Sequence, residues 1–98
     1  MTDESTTITL DRDASRFILE SDGIAAGVLQ FTDDGTTWRL DHTVVDDQWE
    51  GRGFGSMLAK AGLDGAREAG RGVIARCSFV AAYVQRHHDW DDILVADS

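Results

Sequence analysis

The sequence lacks the features that stabilise small secreted domains or place a chain in a membrane. Its 98 residues include no proline and a single cysteine, Cys77, so no internal disulfide can form. No apolar run approaches the ~18 residues that suggest a membrane helix. The polar stretch 1–7 does not resemble a secretory signal. These absences predict a cytoplasmic protein that folds without a disulfide, a metal or a membrane.

Basic residues are also scarce. The chain carries 18 acidic residues against 9 basic ones, and its formal net charge is −9. Because nucleic-acid binding depends on Lys and Arg that neutralise phosphates, this balance argues against a nucleic-acid-binding protein. The same charge favours cationic partners and a monomer or weak dimer. A chain of this length predicts one domain over residues 1–98, with frayed tails at 1–6 and 96–98.

The first half of the chain predicts a row of antiparallel strands. Apolar residues alternate with polar ones from Ile8, and turn signals at 21–23 and 33–35 separate the extended segments. The predicted strands cover 8–10, 17–20, 24–31 and 36–45. In the last of them, strict alternation would place Trp38, Leu40, His42 and Val44 on one face, so His42 is expected beside core residues.

The second half changes to a helical period. The spacing predicts a helix from Phe54 to Ala69 that ends at Gly70. Gly62 and Gly65 inside this helix indicate close packing on a sheet, since each glycine costs about 1 kcal/mol relative to alanine.

A buried strand at Val73–Phe79 and a short helix at Val80–His88 follow in the pattern, and 93–95 is expected to be an edge strand or a packed tail. The prediction is therefore an α/β (α+β) fold with a mixed sheet. Antiparallel N-terminal strands are followed by a strand-helix-strand-helix unit, in which the two strands are parallel.

A glycine-rich segment lies between the strand at 36–45 and the long helix. Glycines at 51, 53 and 55 let backbone N–H groups approach a ligand, and the helix that follows adds the positive end of its dipole. The spacing matches neither a Walker A loop nor a dinucleotide-binding fingerprint. The segment predicts an anion cradle from Gly51 to Ser56, or alternatively a turn that only begins the helix.

Taken together, these segments resemble the GNAT superfamily of acyl-CoA-dependent N-acetyltransferases, and more narrowly its minimal single-domain members. The resemblance extends from about residue 12 to 95 and depends on Leu40-Asp41-His42-Thr43, the glycine loop, Leu58 to Arg67, Cys77-Ser78-Phe79-Val80-Ala81-Ala82-Tyr83 and Arg86-His87. Glu50 departs from the family loop, because it places a carboxylate where Gln or Arg is usual. Arg52 is the cation that would compensate for it.

The resemblance implies an acetyl-CoA-dependent N-acetyltransferase that acts on a primary amine and uses no metal. The acceptor would be a small molecule or a lysine side chain, and the acidic surface favours a cationic one. A catalytically weak or idle acyl-CoA-binding module is the alternative, favoured by Glu50. The implied donor contacts are Thr43, Val44, Val45, Gly51, Arg52, Gly53, Phe54, Gly55, Ser56, Arg86 and His87.

Three residues are candidates for the chemistry that the resemblance implies. His42 would act as the base that deprotonates the amine, or else it is a core histidine bonded to the backbone. Cys77 would accept the acetyl group as a thiolate, or else it is a small apolar residue. Tyr83 would protonate the departing thiolate of the coenzyme, or else it is a core aromatic.

Overall fold

Short apolar runs interrupted by turn residues produce a sheet before either helix is reached. The computed structural model describes residues 6–49 and 51–95. Its sheet has the order β1-β2-β3-β4-β5, in which β1 to β4 are antiparallel and β5 is parallel to β4. The elements are β1 (Thr6–Asp11), β2 (Arg16–Ser21), β3 (Ile24–Asp33), β4 (Thr37–Val45), α1 (Phe54–Glu68), β5 (Gly72–Ala75) and α2 (Ser78–Arg86), with 3-10 turns at Asp47–Trp49 and His88–Ile93. This is the mixed α+β fold that the sequence predicts.

Helix α1 packs directly on the sheet through its glycines. A Cβ atom added at Gly62 would lie 2.5 Å from Cδ2 of Leu29, and one at Gly65 would lie 2.8 Å from Cζ of Phe17. Both positions therefore need glycine, as the sequence indicated. The helix ends before Gly70, whose φ is 73°. This close packing holds the N-terminus of α1 beside the end of β4.

One apolar cluster fills the space between the sheet and the helices. Phe31 and Trp38 stack with ring centroids 4.2 Å apart, and Phe17 lies 5.6 Å from Phe31. Aromatic pairs at these separations add to the free energy gained by burying their area. Among the described residues, neither helix combines the length and apolar character that crossing a membrane requires.

A β-bulge in β4 changes which residues face the helix. Gln30 pairs with His42 and Phe31 with Leu40, so Asp41 is an extra residue in β4. Before the bulge Trp38 and Leu40 are buried, but beyond it His42 and Val44 are exposed. The predicted common face is therefore wrong for His42 and Val44, because the extra residue shifts the alternation by one.

The second parallel strand is shorter than predicted. β5 ends at Ala75, and α2 already begins at Ser78, so Cys77 is the N-cap of the helix and does not lie in the strand. The N–H group of Cys77 still donates to the carbonyl of Leu40 in β4, 2.8 Å away, and the chain enters α2 at the next residue. The C-terminal segment adds a single parallel bridge between Leu94 and Val73.

Candidate functional site

Strands β4 and β5 separate partway along their length. They pair from Thr37 and Gly72 to Leu40 and Ala75, and then the chain after β5 turns away into α2. β4 continues to Val45, paired with β3. A V-shaped opening therefore forms between the end of β4 and the start of α2.

The backbone N–H and C=O groups of β4 at this opening point alternately towards β3 and into the opening. The N–H group of Asp46 donates to the carbonyl of Ala26 in β3, 3.1 Å away. Because backbone groups alternate along an antiparallel strand, those of Val44 also point to β3, whereas those of Thr43 and Val45 point into the opening. Thr43 and Val45 can therefore bind an extended ligand as a further strand would, and Val44 is directed away from it.

The glycine loop closes the other side of the opening. Gly51 and Gly53 adopt φ angles of 83° and 78°, which favour glycine. Gly53 is the N-cap of α1 and makes no side-chain cap, so the first N–H groups of the helix face the opening without a capping side chain. The resulting cleft has a volume of about 390 Å³ and is lined by Thr43, Val45, Trp49, Gly51, Gly53, Phe54, Gly55, Ser56 and Phe79. We call it the donor cleft.

Two aromatic residues of the donor cleft were missed by sequence reasoning. Trp49 lies 5.9 Å from the ring of Phe54 and also 5.0 Å from the guanidinium carbon of Arg52, which is held over its face. Phe79 packs so closely on the loop that a Cβ atom at Gly55 would lie 2.8 Å from its Cζ. For Trp49 the available signal was its position just before the glycine loop, whereas Phe79 lies far along the chain and no spacing links it to the loop. Glu50 lies outside the described residues.

Cys77 lies where the two walls of the opening meet. Its thiol donates to Oγ1 of Thr43 across 3.4 Å, and the side chain is partly buried. Burial raises the pKa of this thiol, but hydrogen bonds from Thr43 and from the N–H groups of Val80 and Phe79 outweigh it. The net result is a pKa below the ordinary value, so Cys77 forms a thiolate more readily than a free cysteine does.

His42 and Cys77 share a second cleft on the other side of Thr43. This cleft, called the acceptor cleft below, has a volume of about 540 Å³ and is lined by Gln30, Asp41, His42, Thr43, Val44, Arg76, Cys77 and Ser78. Partial burial raises the pKa of Asp41, and hydrogen bonds from Arg39 and Thr32 outweigh it, so its pKa is lowered. The acceptor cleft therefore holds three functional groups side by side: the exposed imidazole of His42, the carboxylate of Asp41 and the thiol of Cys77.

The remaining predicted site residues lie away from both clefts. Tyr83 is buried, with its ring 4.2 Å from that of His87 and 5.8 Å from that of Trp90. Arg86 and His87 are at the C-terminal end of α2, and Cys77 is at its N-terminal end. The helix rises about 1.5 Å per residue, so about 13 Å of helix separates these ends. The structure does not bring Tyr83, Arg86 or His87 to the clefts.

A split between parallel strands, beside a glycine loop that begins a helix, defines an acyltransferase-like site. Residues 16–93 match the sequence model of the family described as GCN5-related N-acetyl-transferase. The chain therefore belongs to this family, as its resemblance to GNAT proteins indicated. It is also similar to the solution structure titled "GCN5-like putative N-acetyltransferase from Staphylococcus aureus", with 26% identity, a TM-score of 0.70 and coverage of 94% of this chain and 90% of that chain.

These two findings support an acetyltransferase activity for the chain. The comparison with curated proteins found no match. Within residues 6–49 and 51–95, no group of three or more His, Cys, Asp or Glu side chains could hold a metal ion.

Proposed function

We propose that the chain is an acetyl-CoA-dependent N-acetyltransferase that acts on a primary amine. The observation that carries the proposal is the donor cleft, which joins the unpaired edge of β4 to the glycine loop. A strand edge binds an extended amide-containing chain through backbone hydrogen bonds. The start of a helix binds phosphate. Coenzyme A combines an amide-containing pantetheine arm and a pyrophosphate in one molecule.

The residues present fit the phosphates of this donor. Gly51 and Gly53 leave open space around their Cα atoms, since an added Cβ would meet no atom within 4 Å. The N–H groups at the start of α1 carry no side-chain cap, and Arg52 supplies a positive charge in the same loop. Charges more distant than about 8–10 Å are largely screened at physiological salt, so these local donors can outweigh a net charge of −9.

The transfer reaction needs an acyl donor, a base and control of the amine. Acetyl-CoA, when bound, supplies the acetyl group as a reactive thioester. His42 is exposed in the acceptor cleft, where it can accept a proton from an alkylammonium group, which is almost fully protonated at neutral pH. Cys77 as a thiolate can attack the thioester carbonyl and release coenzyme A as its thiolate, and the neutral amine then takes the acetyl group and restores the Cys77 thiolate. Direct transfer from the thioester to the amine, which also releases the coenzyme thiolate, is the alternative route.

The acceptor would enter through the acceptor cleft, which is open to solvent. The net charge of −9 favours a cationic amine, either a small molecule such as a polyamine or a lysine side chain. We therefore expect the rate of transfer to a cationic amine to fall as salt is added, because long-range attraction is screened. The monomeric or weakly dimeric state and the cytoplasmic location stay predictions.

The first experiment measures donor binding by thermal unfolding with added coenzyme A. A ligand at 100 times its Kd stabilises a protein by about 2.7 kcal/mol. We expect Gly53→Ala to weaken the affinity by about tenfold or more, because the variant must rearrange a loop with φ 78°. Gly23→Ala is the matched control, since Gly23 has φ 80° and equal open space but lies in the β2–β3 turn. An unfolding transition that millimolar coenzyme A does not move would contradict the proposal.

The second experiment measures single-turnover transfer of a labelled acetyl group to a panel of amines. Polyamines and lysine peptides should be acetylated faster than a neutral hydroxyl-bearing amine of similar size. Donor binding without transfer to any amine, and without acetyl on Cys77, would favour the catalytically idle acyl-CoA-binding module instead. One observation favours that second candidate: Tyr83, the predicted acid, is buried against Trp90 and does not line the donor cleft.

A further inference from the structure

We propose that Thr43 is a positioning residue that holds the sulfur of Cys77 as the nucleophile at the junction of the donor and acceptor clefts. The inference rests on the proposed function, since it gives Thr43 a part in the acetyl transfer. Thr43 lines both clefts. It faces the opening only because the bulge at Asp41 shifts the alternation of β4.

Thr43 contacts the sulfur of Cys77 in two ways. Its Oγ1 atom lies 3.4 Å from the sulfur, and its backbone N–H group, on the edge of β4 that faces the opening, helps to lower the pKa of the thiol. The N–H groups of Phe79 and Val80 approach the sulfur from the start of α2. A thiolate at this position is therefore surrounded by hydrogen-bond donors from both walls of the opening.

Among these donors, the hydroxyl of Thr43 is the one that a side-chain substitution removes. The three N–H groups belong to the backbone and remain in any variant except proline. As a thiol Cys77 donates to Oγ1, but as a thiolate it accepts a hydrogen bond from the hydroxyl, which favours the charged form. Removing the hydroxyl should therefore raise the pKa of Cys77. The other titratable or charged groups lining this cleft are Asp41, His42 and Arg76.

The test uses the fact that Cys77 is the only cysteine, so its alkylation can be followed without interference. The rate of reaction with iodoacetamide is measured against pH for the unaltered chain, Thr43→Val and Thr43→Ser. We expect the inflection of the Thr43→Val profile to move to higher pH, with a rate near neutral pH lower by about three- to tenfold. The rate at high pH should not fall, because a more basic thiolate is the better nucleophile. Thr43→Ser keeps a hydroxyl and should stay close to the unaltered chain.

Two controls separate this effect from a change in folding or in a neighbouring charge. Thr9→Val makes the same substitution at an exposed position in β1, at the opposite edge of the sheet, and should leave the profile unchanged. The Thr43→Val shift should persist when His42→Gln is added to both chains. Urea unfolding of each variant confirms that the folded state is being titrated.

The outcomes distinguish the inference from the function on which it rests. A shifted profile, together with slower acetyl transfer at a saturating concentration of the donor, supports the inference. If the Thr43→Val profile is unshifted in a chain that transfers acetyl groups, the inference is overturned and the proposed function stands. A Thr43→Ser profile shifted as far as that of Thr43→Val also overturns the inference alone. A shifted profile in a chain that neither binds coenzyme A nor transfers acetyl overturns the proposed function, and the part of Thr43 in it.

Discussion

The two halves of β4 differ in strand pairing and in burial. From Trp38 to Leu40, the closed half, the strand is paired with both β3 and β5, and the side chains of Trp38 and Leu40 are buried. From His42 to Val45, the open half, it is paired with β3, and its other edge faces the donor cleft. The bulge at Asp41 separates these halves. The first half builds the core, and the second leaves backbone donors and acceptors available for a ligand.

The difference shows that the candidate site is made by interrupting a sheet. An unpaired strand edge is normally a liability, because it can pair with another chain. Here the opening is bounded on one side by Phe79 of α2 and on the other by the glycine loop. The bulge is itself fixed by side chains, since Asp41 accepts hydrogen bonds from Arg39 at 2.6 Å and Thr32 at 2.7 Å.

The largest difference between the halves should appear in stability. Leu40 is fully buried, whereas Val44 is 59% exposed. We expect Leu40→Ala to lower the free energy of unfolding by about 2–5 kcal/mol, because it removes buried methyl groups and leaves a cavity. Val44→Ala should change it by less than about 0.5 kcal/mol. Urea unfolding of the two variants, fitted with one shared m-value, measures both changes in the free energy of unfolding. A comparable loss in Val44→Ala would mean that another surface covers the open half.

Of the two halves of β4, the open half is the one on which the rate of acetyl transfer should depend. We expect His42→Ala to lower the rate of acetyl transfer by about a hundredfold or more, because a general base contributes about 10²–10⁴-fold, while the Kd for coenzyme A stays the same. His88→Ala is the matched control, since His88 is also exposed but is bonded to Asp91 beyond α2. Equal rates for the two variants would remove His42 from the mechanism and leave it as a surface residue.

Much of this fold could be predicted, because each element depends on local pattern. The glycines after β4, the long helix and the order of strands all follow from periodicity and turn residues. The bulge could not be predicted, because Trp38, Leu40, His42 and Val44 alternate regularly in sequence, and the extra residue appears only when β4 pairs with β3.

The packing partners of the side chains in α2 could not be predicted either. Cys77 was expected at the end of β5 and lies at the start of α2, still beside Thr43. Tyr83 lies four residues after Phe79, so the helical period places both on the same side of α2, but this period does not show which segment packs there. Its packing against Trp90 is a tertiary contact between segments that sequence periodicity does not relate.

The smallest expected effect concerns the turn that begins the closed half of β4. Backbone hydrogen bonds from Thr37 at 2.7 Å and Thr36 at 2.9 Å hold the pKa of the Asp34 carboxyl well below its usual range. A lowered folded-state pKa stabilises the protein above the unfolded value of about 4, and this contribution is lost as pH falls towards the folded value.

We therefore expect Asp34→Asn to be less stable than the unaltered chain at neutral pH, with a difference that narrows as the pH falls below about 4. In a chain with net charge −9, removing any negative charge also relieves repulsion. Asp13→Asn in the exposed β1–β2 turn measures that general effect, and the comparison with it isolates the turn. The affinity for coenzyme A should not change in either variant, because Asp34 lies at the end of β4 remote from the donor cleft. A weaker affinity in Asp34→Asn alone would mean that the two halves of the strand are coupled through the bulge and do not act independently.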